Sequence, residues 1–187
     1  MNREQLEHII RAAADITNVK DLLIVGSQSV LGTWDADRLP PEAIRSMEAD
    51  VVAADGDVGR TEKIEGAIGE GSQFHERFGV YAQGVGLETS VLPEGWRERL
   101  VALENPNTQP GRGLCLEPHD LVLAKMVAGR QRDYQFADAL LKAGLLDPNQ
   151  LASRVKNLPT SAEVRDAIRQ WLRGQTKRGR KRAPTRV

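Results

Sequence analysis

The chain has 187 residues, of which 40% are hydrophobic and 28% charged, with a formal net charge of zero, and this composition suits one compact domain with a small appendage. The aromatic share of 4% disfavours nucleic-acid-binding folds that stack bases on aromatic side chains, and the single Cys115 excludes an internal disulfide and a multi-cysteine metal site. Without a membrane-spanning apolar run or a signal-peptide pattern, we expect a cytoplasmic protein that contacts no membrane. Its metal ligands, if any, would be carboxylates.

The first half of the chain predicts helices that alternate with two strands. Asn2 is an N-cap candidate for a helix over residues 3–15, where apolar residues recur at helical spacing. Residues 21–25, DLLIV, predict a buried strand that ends in a tight turn at Gly26-Ser27. Short helices over residues 27–31 and 41–46 and a second strand over residues 48–53 follow.

The middle of the chain predicts two short helices within residues 57–78 and then several short strands. The glycines around Val85 predict a hairpin turn between strands over residues 80–83 and 88–92. Further strands are predicted over residues 100–103 and 114–116. The fold class is therefore α/β (α+β), with a mixed sheet of about five strands in a core domain over residues 1–116.

From Pro118 onward the pattern is helical, which predicts a C-terminal helical segment over residues 117–174. The last eleven residues hold six of the 26 basic residues and no acid, so the body before them has 20 basic and 26 acidic residues. We predict a disordered basic tail over residues 175–187, because it has no apolar periodicity. Such a tail would bind the phosphates of an RNA acceptor; the alternative is a merely solubilising end.

Two acidic residues begin the second predicted strand. Residues i and i+2 of a strand lie on the same face, so Glu48 and Asp50 present two carboxylates side by side. Like charges at this distance favour a bound cation, and an all-oxygen ligand set suits Mg²⁺. The alternative is a pair of solvated acids at a strand edge.

Two further features suit phosphate binding. The Gly26-Ser27 turn lies between a buried strand and a predicted helix, where free backbone N–H groups can hold a phosphate, although such turns are also ordinary connections. Lys125 lies within an apolar helical stripe and needs an anion partner or a route to solvent, and a triphosphate would supply the anion.

Three sequence segments together resemble the nucleotidyltransferase superfamily, and in particular bacterial nucleotidyltransferases related to AbiEii-type abortive-infection toxins. The segments are LLIVGSQSVLG, SMEADVV and LEPHDLVLAKMVAGRQRDYQFADALL, and the resemblance covers about residues 21–146. It implies a nucleotidyltransferase fold. It also implies that Gly26 and Ser27 bind the nucleotide phosphates, and that Glu48 and Asp50 are catalytic and bind the metal.

The resemblance assigns roles to the third segment as well. Lys125 matches a lysine that is catalytic and binds the nucleotide, and Asp133 matches a catalytic aspartate that follows it. Arg130 is a further candidate for phosphate binding through its guanidinium group. Many superfamily members carry a third acid on a neighbouring strand, where this sequence has Gln83, so Glu88 is the candidate third catalytic carboxylate.

The expected reaction is Mg²⁺- or Mn²⁺-dependent transfer of a nucleoside monophosphate from an NTP to an acceptor hydroxyl on RNA, protein or a small molecule. The resemblance also raises a toxin role with an antitoxin protein as partner. The alternative, favoured by Gln83, is a catalytically inactive module that binds a nucleotide or a partner protein.

Overall fold

The structure, a computed structural model, describes the backbone of residues 1–182 and the side chains of residues 1–175. The helices are α1 Arg3–Thr17, α2 Pro41–Ile44, α3 Val58–Ile68, α4 Gln73–Phe78, α5 Pro118–Ala128, α6 Gln131–Lys142, α7 Pro148–Val155 and α8 Ala162–Arg182. The strands are β1 Asp21–Ile24, β2 Glu48–Ala53, β3 Tyr81–Gly84, β4 Val101–Leu103 and β5 Arg112–Cys115. The turn after β1 is a 3₁₀ helix, Ser27–Gly32.

The strands form one mixed sheet in the order β3-β2-β1-β5-β4, which confirms the predicted fold class. Strand β1 pairs antiparallel with β2 and parallel with β5, and β2 pairs parallel with β3. Antiparallel pairing places the end of β1 beside the start of β2, where the Val25 N–H donates to the Asp50 carbonyl oxygen at 3.1 Å. The turn after β1 therefore lies next to the acidic end of β2.

The predicted hairpin after β3 is wrong, because residues 88–92 do not form a strand. Instead, Leu87–Thr89 form a 3₁₀ turn in which the Thr89 hydroxyl donates to the Gly86 carbonyl oxygen at 2.7 Å. At the end of β3, the Glu65 carboxylate accepts from the Gly84 N–H at 2.9 Å. A side chain thus satisfies the backbone donor that a further strand would have used.

The core is built mainly from aliphatic side chains, as the low aromatic content predicts. Helix α1 begins at the predicted N-cap Asn2, which forms a capping box with Gln5, and it packs its buried apolar face against β1, β5 and α3. The approach to β5 is close, since a Cβ at Gly113 would lie 2.5 Å from Ile10 Cδ1. Glycine at this position lets the helix seat directly on the strand.

A buried charge cluster joins α5 to α7. Glu117 is the N-cap of α5 and accepts from the backbone N–H groups of His119 and Asp120. Arg154 of α7 donates to both the Glu117 and the Asp120 carboxylates. Burial alone would raise the pKa of Glu117, but hydrogen bonds from His119 and Arg154 outweigh it and lower the pKa to about 2. This cluster anchors the start of α5, the helix that carries Lys125.

The last helix extends past the predicted end of the helical segment at residue 174. Helix α8 continues to Arg182, because lysine, arginine and glutamine are good helix formers and a basic composition does not end a helix. The predicted disordered tail over residues 175–187 therefore starts inside a helix, and residues 183–187 lie outside the described residues. None of the helices in the described part of the chain has the length and apolar character to cross a membrane.

Candidate active site

A cleft of about 940 Å³ opens between the acidic end of the sheet and helices α2, α5 and α6. This volume is at the upper end of the range of about 300–1,000 Å³ found for small-molecule sites. Six of the residues predicted from the sequence line it together: Ser27, Glu48, Asp50, Lys125, Arg130 and Asp133. Residues that are distant in sequence thus share one cavity.

Strand β2 places both predicted metal ligands on the cleft side. Ala49 and Val51 are buried, and Glu48 and Asp50 alternate with them, as the period of a strand requires. Burial, followed by the repulsion of the Glu48 carboxylate, raises the pKa of Asp50 from 3.8 to about 6. A divalent cation would relieve this repulsion, so the donor set fits Mg²⁺ or Mn²⁺.

The metal would need ligands besides these two carboxylates. No group of three or more histidine, cysteine or acidic side chains suited to a metal ion occurs among the residues that the structure describes. Mg²⁺ is commonly held by one or two carboxylates together with substrate phosphates and water. The pair at Glu48 and Asp50 fits that mode of binding.

Gly26 is required by the close approach of the Asp50 side chain. A Cβ at this position would lie 1.5 Å from Asp50 Oδ2, which no packing adjustment short of moving the carboxylate would allow. The Gly26 backbone itself has an ordinary extended conformation, with φ of −85°. The glycine therefore makes room for the carboxylate, a reason that the sequence pattern alone did not reveal.

Helices α5 and α6 bring Lys125 and Asp133 together. The chain reverses at Gly129, which has a positive φ of 72°, so that the first turn of α6 returns to the end of α5. Lys125 Nζ lies 3.5 Å from Asp133 Oδ1, and Arg130 Nε donates to Asp133 Oδ2 at 2.7 Å. Asp133 thus contacts both cations predicted to bind phosphate.

The Lys125 ammonium group lies in a mixed apolar and acidic environment. It sits 5.0 Å from the centroid of the Phe136 ring, and its side chain is 18% exposed. Burial lowers the pKa of Lys125, and the charges of Asp133 and Asp50 oppose this effect. The amine is therefore paired with Asp133 at the wall of the cleft and is also influenced by the charge of Asp50.

The structure does not bring Glu88 into this cleft. Glu88 is exposed on the 3₁₀ turn Leu87–Thr89 and lines a separate surface depression with Trp96 and Arg97. Gln83 lines the cleft instead, in register with Asp50 on the neighbouring parallel strand. The position where a third carboxylate was expected therefore carries an amide.

Other residues also belong to the site. Arg132 lines the cleft, and Arg130, two residues before it, makes the ion pair with Asp133. The Tyr81 hydroxyl donates to Glu48 Oε2 at 3.1 Å. Desolvation and the Glu48 carboxylate raise the pKa of Tyr81 to about 12, so this hydroxyl keeps its proton. Only the register of β2 with β3 reveals the contact.

Comparison with known proteins places the chain in a family. A family model described as a nucleotidyltransferase of unknown function (DUF6036) matches residues 4–173. The chain belongs to this family. The match includes the sheet, the cleft and helices α1 to α7. It therefore covers nearly all of the predicted core domain and of the predicted C-terminal helical segment in this nucleotidyltransferase relative.

Searches of curated proteins and of solved structures found no significant match. The specific relationship of this nucleotidyltransferase-family chain to AbiEii-type toxins stays a prediction from its motifs. The catalytic and binding roles of the individual cleft residues also stay predictions.

Proposed function

We propose that the protein transfers a nucleoside monophosphate from an NTP to an acceptor hydroxyl, with pyrophosphate as the leaving group. The observation that carries this proposal is the shared cleft, in which the Glu48–Asp50 pair and Lys125 lie close enough to alter the pKa of Asp50. Membership of a nucleotidyltransferase family supports it independently.

Glu48 and Asp50 would hold Mg²⁺ or Mn²⁺. When bound, the metal supplies charge neutralisation and orientation of the phosphates. The two carboxylates contribute the negative charge that draws the cation to the acidic end of β2. Their repulsion in the free protein makes the cation-bound state comparatively favourable.

The cationic wall of the cleft would bind the phosphates of the NTP. Lys125 would offset charge on the β- and γ-phosphate oxygens. Its ion pair with Asp133, at 3.5 Å, would hold the Lys125 ammonium group in place for this contact. Arg130 and the Ser27 hydroxyl line the same cavity and would make further phosphate contacts. These groups bind and orient the NTP. The acceptor oxygen forms the new bond to the α-phosphorus as the bond from the α-phosphorus to the bridging oxygen breaks, pyrophosphate departs, and the hydroxyl proton passes to water.

The acceptor is left open among RNA, a protein hydroxyl and a small molecule. The cleft continues beyond the acids to Arg45 on the α2 side and Lys142 on the α6 side, which leaves space for an acceptor next to a nucleotide. A toxin role with an antitoxin partner is the further proposal that the motif resemblance raises. A small adjacent gene for a DNA-binding protein would support it.

One observation favours a second candidate function, a catalytically inactive module that binds a nucleotide or a partner. Gln83 occupies the register position beside Asp50, and its amide can hydrogen-bond to a hydroxyl but cannot take its proton. Without a carboxylate there, the cleft would still bind a nucleotide while transfer is slow or absent.

Thermal unfolding with each NTP, in the presence of Mg²⁺ or of a chelator, tests the metal site. At a ligand concentration of about 100 times Kd, binding stabilises the folded state by about 2.7 kcal/mol. For a chain of this size, that corresponds to an increase in Tm of roughly 5–10 °C. We expect each effective NTP to raise the Tm only when Mg²⁺ is present.

Variants assign the effect to the cleft. The combined Glu48→Ala and Asp50→Ala variant should lose the Mg²⁺-dependent increase, while Glu62→Ala, which removes an exposed acid on α3, should keep it. Stabilisation by NTP without Mg²⁺ would favour the binding module. No stabilisation under any condition would contradict both functions.

A further inference from the structure

Tyr81 lies directly beside the first metal-binding candidate of the cleft. Strands β2 and β3 run parallel, and their register pairs Glu48 with Tyr81. The Tyr81 hydroxyl donates to Glu48 Oε2 at 3.1 Å, across the sheet rather than along one strand. Tyr81 itself is not among the residues that line the cleft, so it would reach a ligand only through Glu48.

Glu48 has a physical need for such a partner. A glutamate has one more rotatable bond than an aspartate, and holding its carboxylate in one orientation costs side-chain entropy. Glu48 is the first residue of β2 and is only partly buried, so packing restrains its carboxylate less than it would restrain a buried one. Repulsion from the neighbouring Asp50 would also turn it towards solvent.

Tyr81 is itself held in place by α4. The Tyr81 ring packs against the His75 ring, with 4.7 Å between centroids and 52° between planes. His75 Nδ1 accepts from the Gly71 N–H at 3.1 Å, and the His75 N–H donates to Ser72 Oγ at 3.1 Å, at the N-cap of α4. The phenol therefore has a packing partner that is itself held at the start of α4.

We propose that Tyr81 is a positioning residue that orients the Glu48 carboxylate for a divalent cation. The hydroxyl occupies one lone pair of Oε2 and leaves Oε1 to the cation. With its carboxylate oriented in this way, Glu48 binds the cation at a position where the superfamily commonly has an aspartate. This inference rests on the proposed function, because it assumes that the cation binds at Glu48 and Asp50.

Direct titration with Mn²⁺ alone, followed by electron paramagnetic resonance, measures cation binding without requiring an acceptor or catalysis. Loss of a hydrogen bond to a metal ligand typically weakens metal affinity by about 10–100-fold. We expect Tyr81→Phe, which keeps the ring and its packing on His75, to raise the Kd for Mn²⁺ by about tenfold or more.

Tyr134→Phe is the matched control. Tyr134 packs against Trp171 on α8 and does not line the cleft, so its Kd for Mn²⁺ should stay within about twofold of the wild-type value. Circular dichroism and Tm should show that both variants are folded. A Kd for Tyr81→Phe equal to that of Tyr134→Phe would overturn the inference.

A second comparison separates positioning from a general structural effect. Glu48→Asp withdraws the carboxylate from the Tyr81 hydroxyl, so adding Tyr81→Phe to this variant should change the Kd by less than about twofold. A tenfold effect of Tyr81→Phe that persists with aspartate at position 48 would mean that it does not act through this carboxylate, and would also overturn the inference.

The same titration distinguishes this inference from the proposed function. Wild-type protein that binds Mn²⁺ no better than the combined Glu48→Ala and Asp50→Ala variant would contradict the metal site itself. Wild-type protein that binds well, with Tyr81→Phe unchanged, would contradict the role of Tyr81 alone.

Discussion

Asp50→Asn should make the metal-free protein more stable at neutral pH while removing a proposed metal ligand. The Asp50 carboxyl has a pKa of about 6 in the folded protein and 3.8 when unperturbed, because burial and the Glu48 charge disfavour its ionised form. The folded state thus binds this proton more tightly than the unfolded state does. The contribution of Asp50 to stability is therefore present below about pH 4 and is lost as the pH rises through about 6.

The size of the effect follows from these two values. One pKa unit corresponds to about 1.36 kcal/mol, so ionised Asp50 destabilises the folded state by about 3 kcal/mol at neutral pH. Asparagine has nearly the same shape, carries no charge, and can donate a hydrogen bond to Glu48. We expect Asp50→Asn to raise the free energy of unfolding by about 2–3 kcal/mol at about pH 7.5.

Urea unfolding with a chelator present, at about pH 7.5 and again at about pH 4, measures this free energy. The stability gain of Asp50→Asn should shrink towards zero at the lower pH, where wild-type Asp50 is protonated. The control Asp37→Asn, at an exposed aspartate, should stay within about 0.5 kcal/mol of wild type at both values. A variant no more stable than wild type at neutral pH, or a gain independent of pH, would refute this reasoning.

Three further variants test other parts of the structure. Gly26→Ala should displace the Asp50 carboxylate, which lies 1.5 Å from the new Cβ position, and so abolish Mg²⁺-dependent NTP binding in calorimetry; unchanged binding would contradict the geometry. Asp133→Asn should weaken Mg²⁺-NTP binding by about tenfold, because Lys125 loses its ion pair. Without that pair the pKa of Lys125 falls further, so the loss of affinity should be larger at high pH. An affinity equal to that of wild type at every pH would count against the pair. Arg154→Leu should lower the free energy of unfolding, measured with urea, by about 3 kcal/mol, because it leaves buried carboxylates at the start of α5 without their shared cation. A loss below about 1 kcal/mol would show that these carboxylates do not depend on Arg154.

The sequence was most informative where local patterns determine the outcome. The alternation of Glu48 and Asp50 with apolar residues predicted a strand with both acids on one face, and the structure confirms this arrangement. The N-cap signal at Asn2 and the apolar spacing likewise predicted α1, and the pattern after Pro118 predicted the helices there. These features depend on residues within a few positions of one another, so a single sequence contains them.

The sequence was least informative where the pairing of distant segments determines which residues lie in the site. Glu88 was expected on a strand beside the site, but it lies on a 3₁₀ turn, and the Glu65 side chain satisfies the backbone donor at the end of β3. The contact of Tyr81 with Glu48 depends on the register of β2 and β3, which no local pattern specifies. The need for Gly26 likewise arises from a side chain on another strand.

Covalent transfer of label tests the central claim most directly. Purified protein is incubated with Mg²⁺, a cell extract as the source of acceptors, and NTPs labelled at either the α- or the γ-phosphate. Wild type and Glu62→Ala should attach label from the α-phosphate to an acceptor and none from the γ-phosphate. The combined Glu48→Ala and Asp50→Ala variant should attach no more of either label than the extract does by itself. Attachment of γ-label by the wild type, or α-labelling that persists in the combined variant, would contradict nucleotidyl transfer at this cleft.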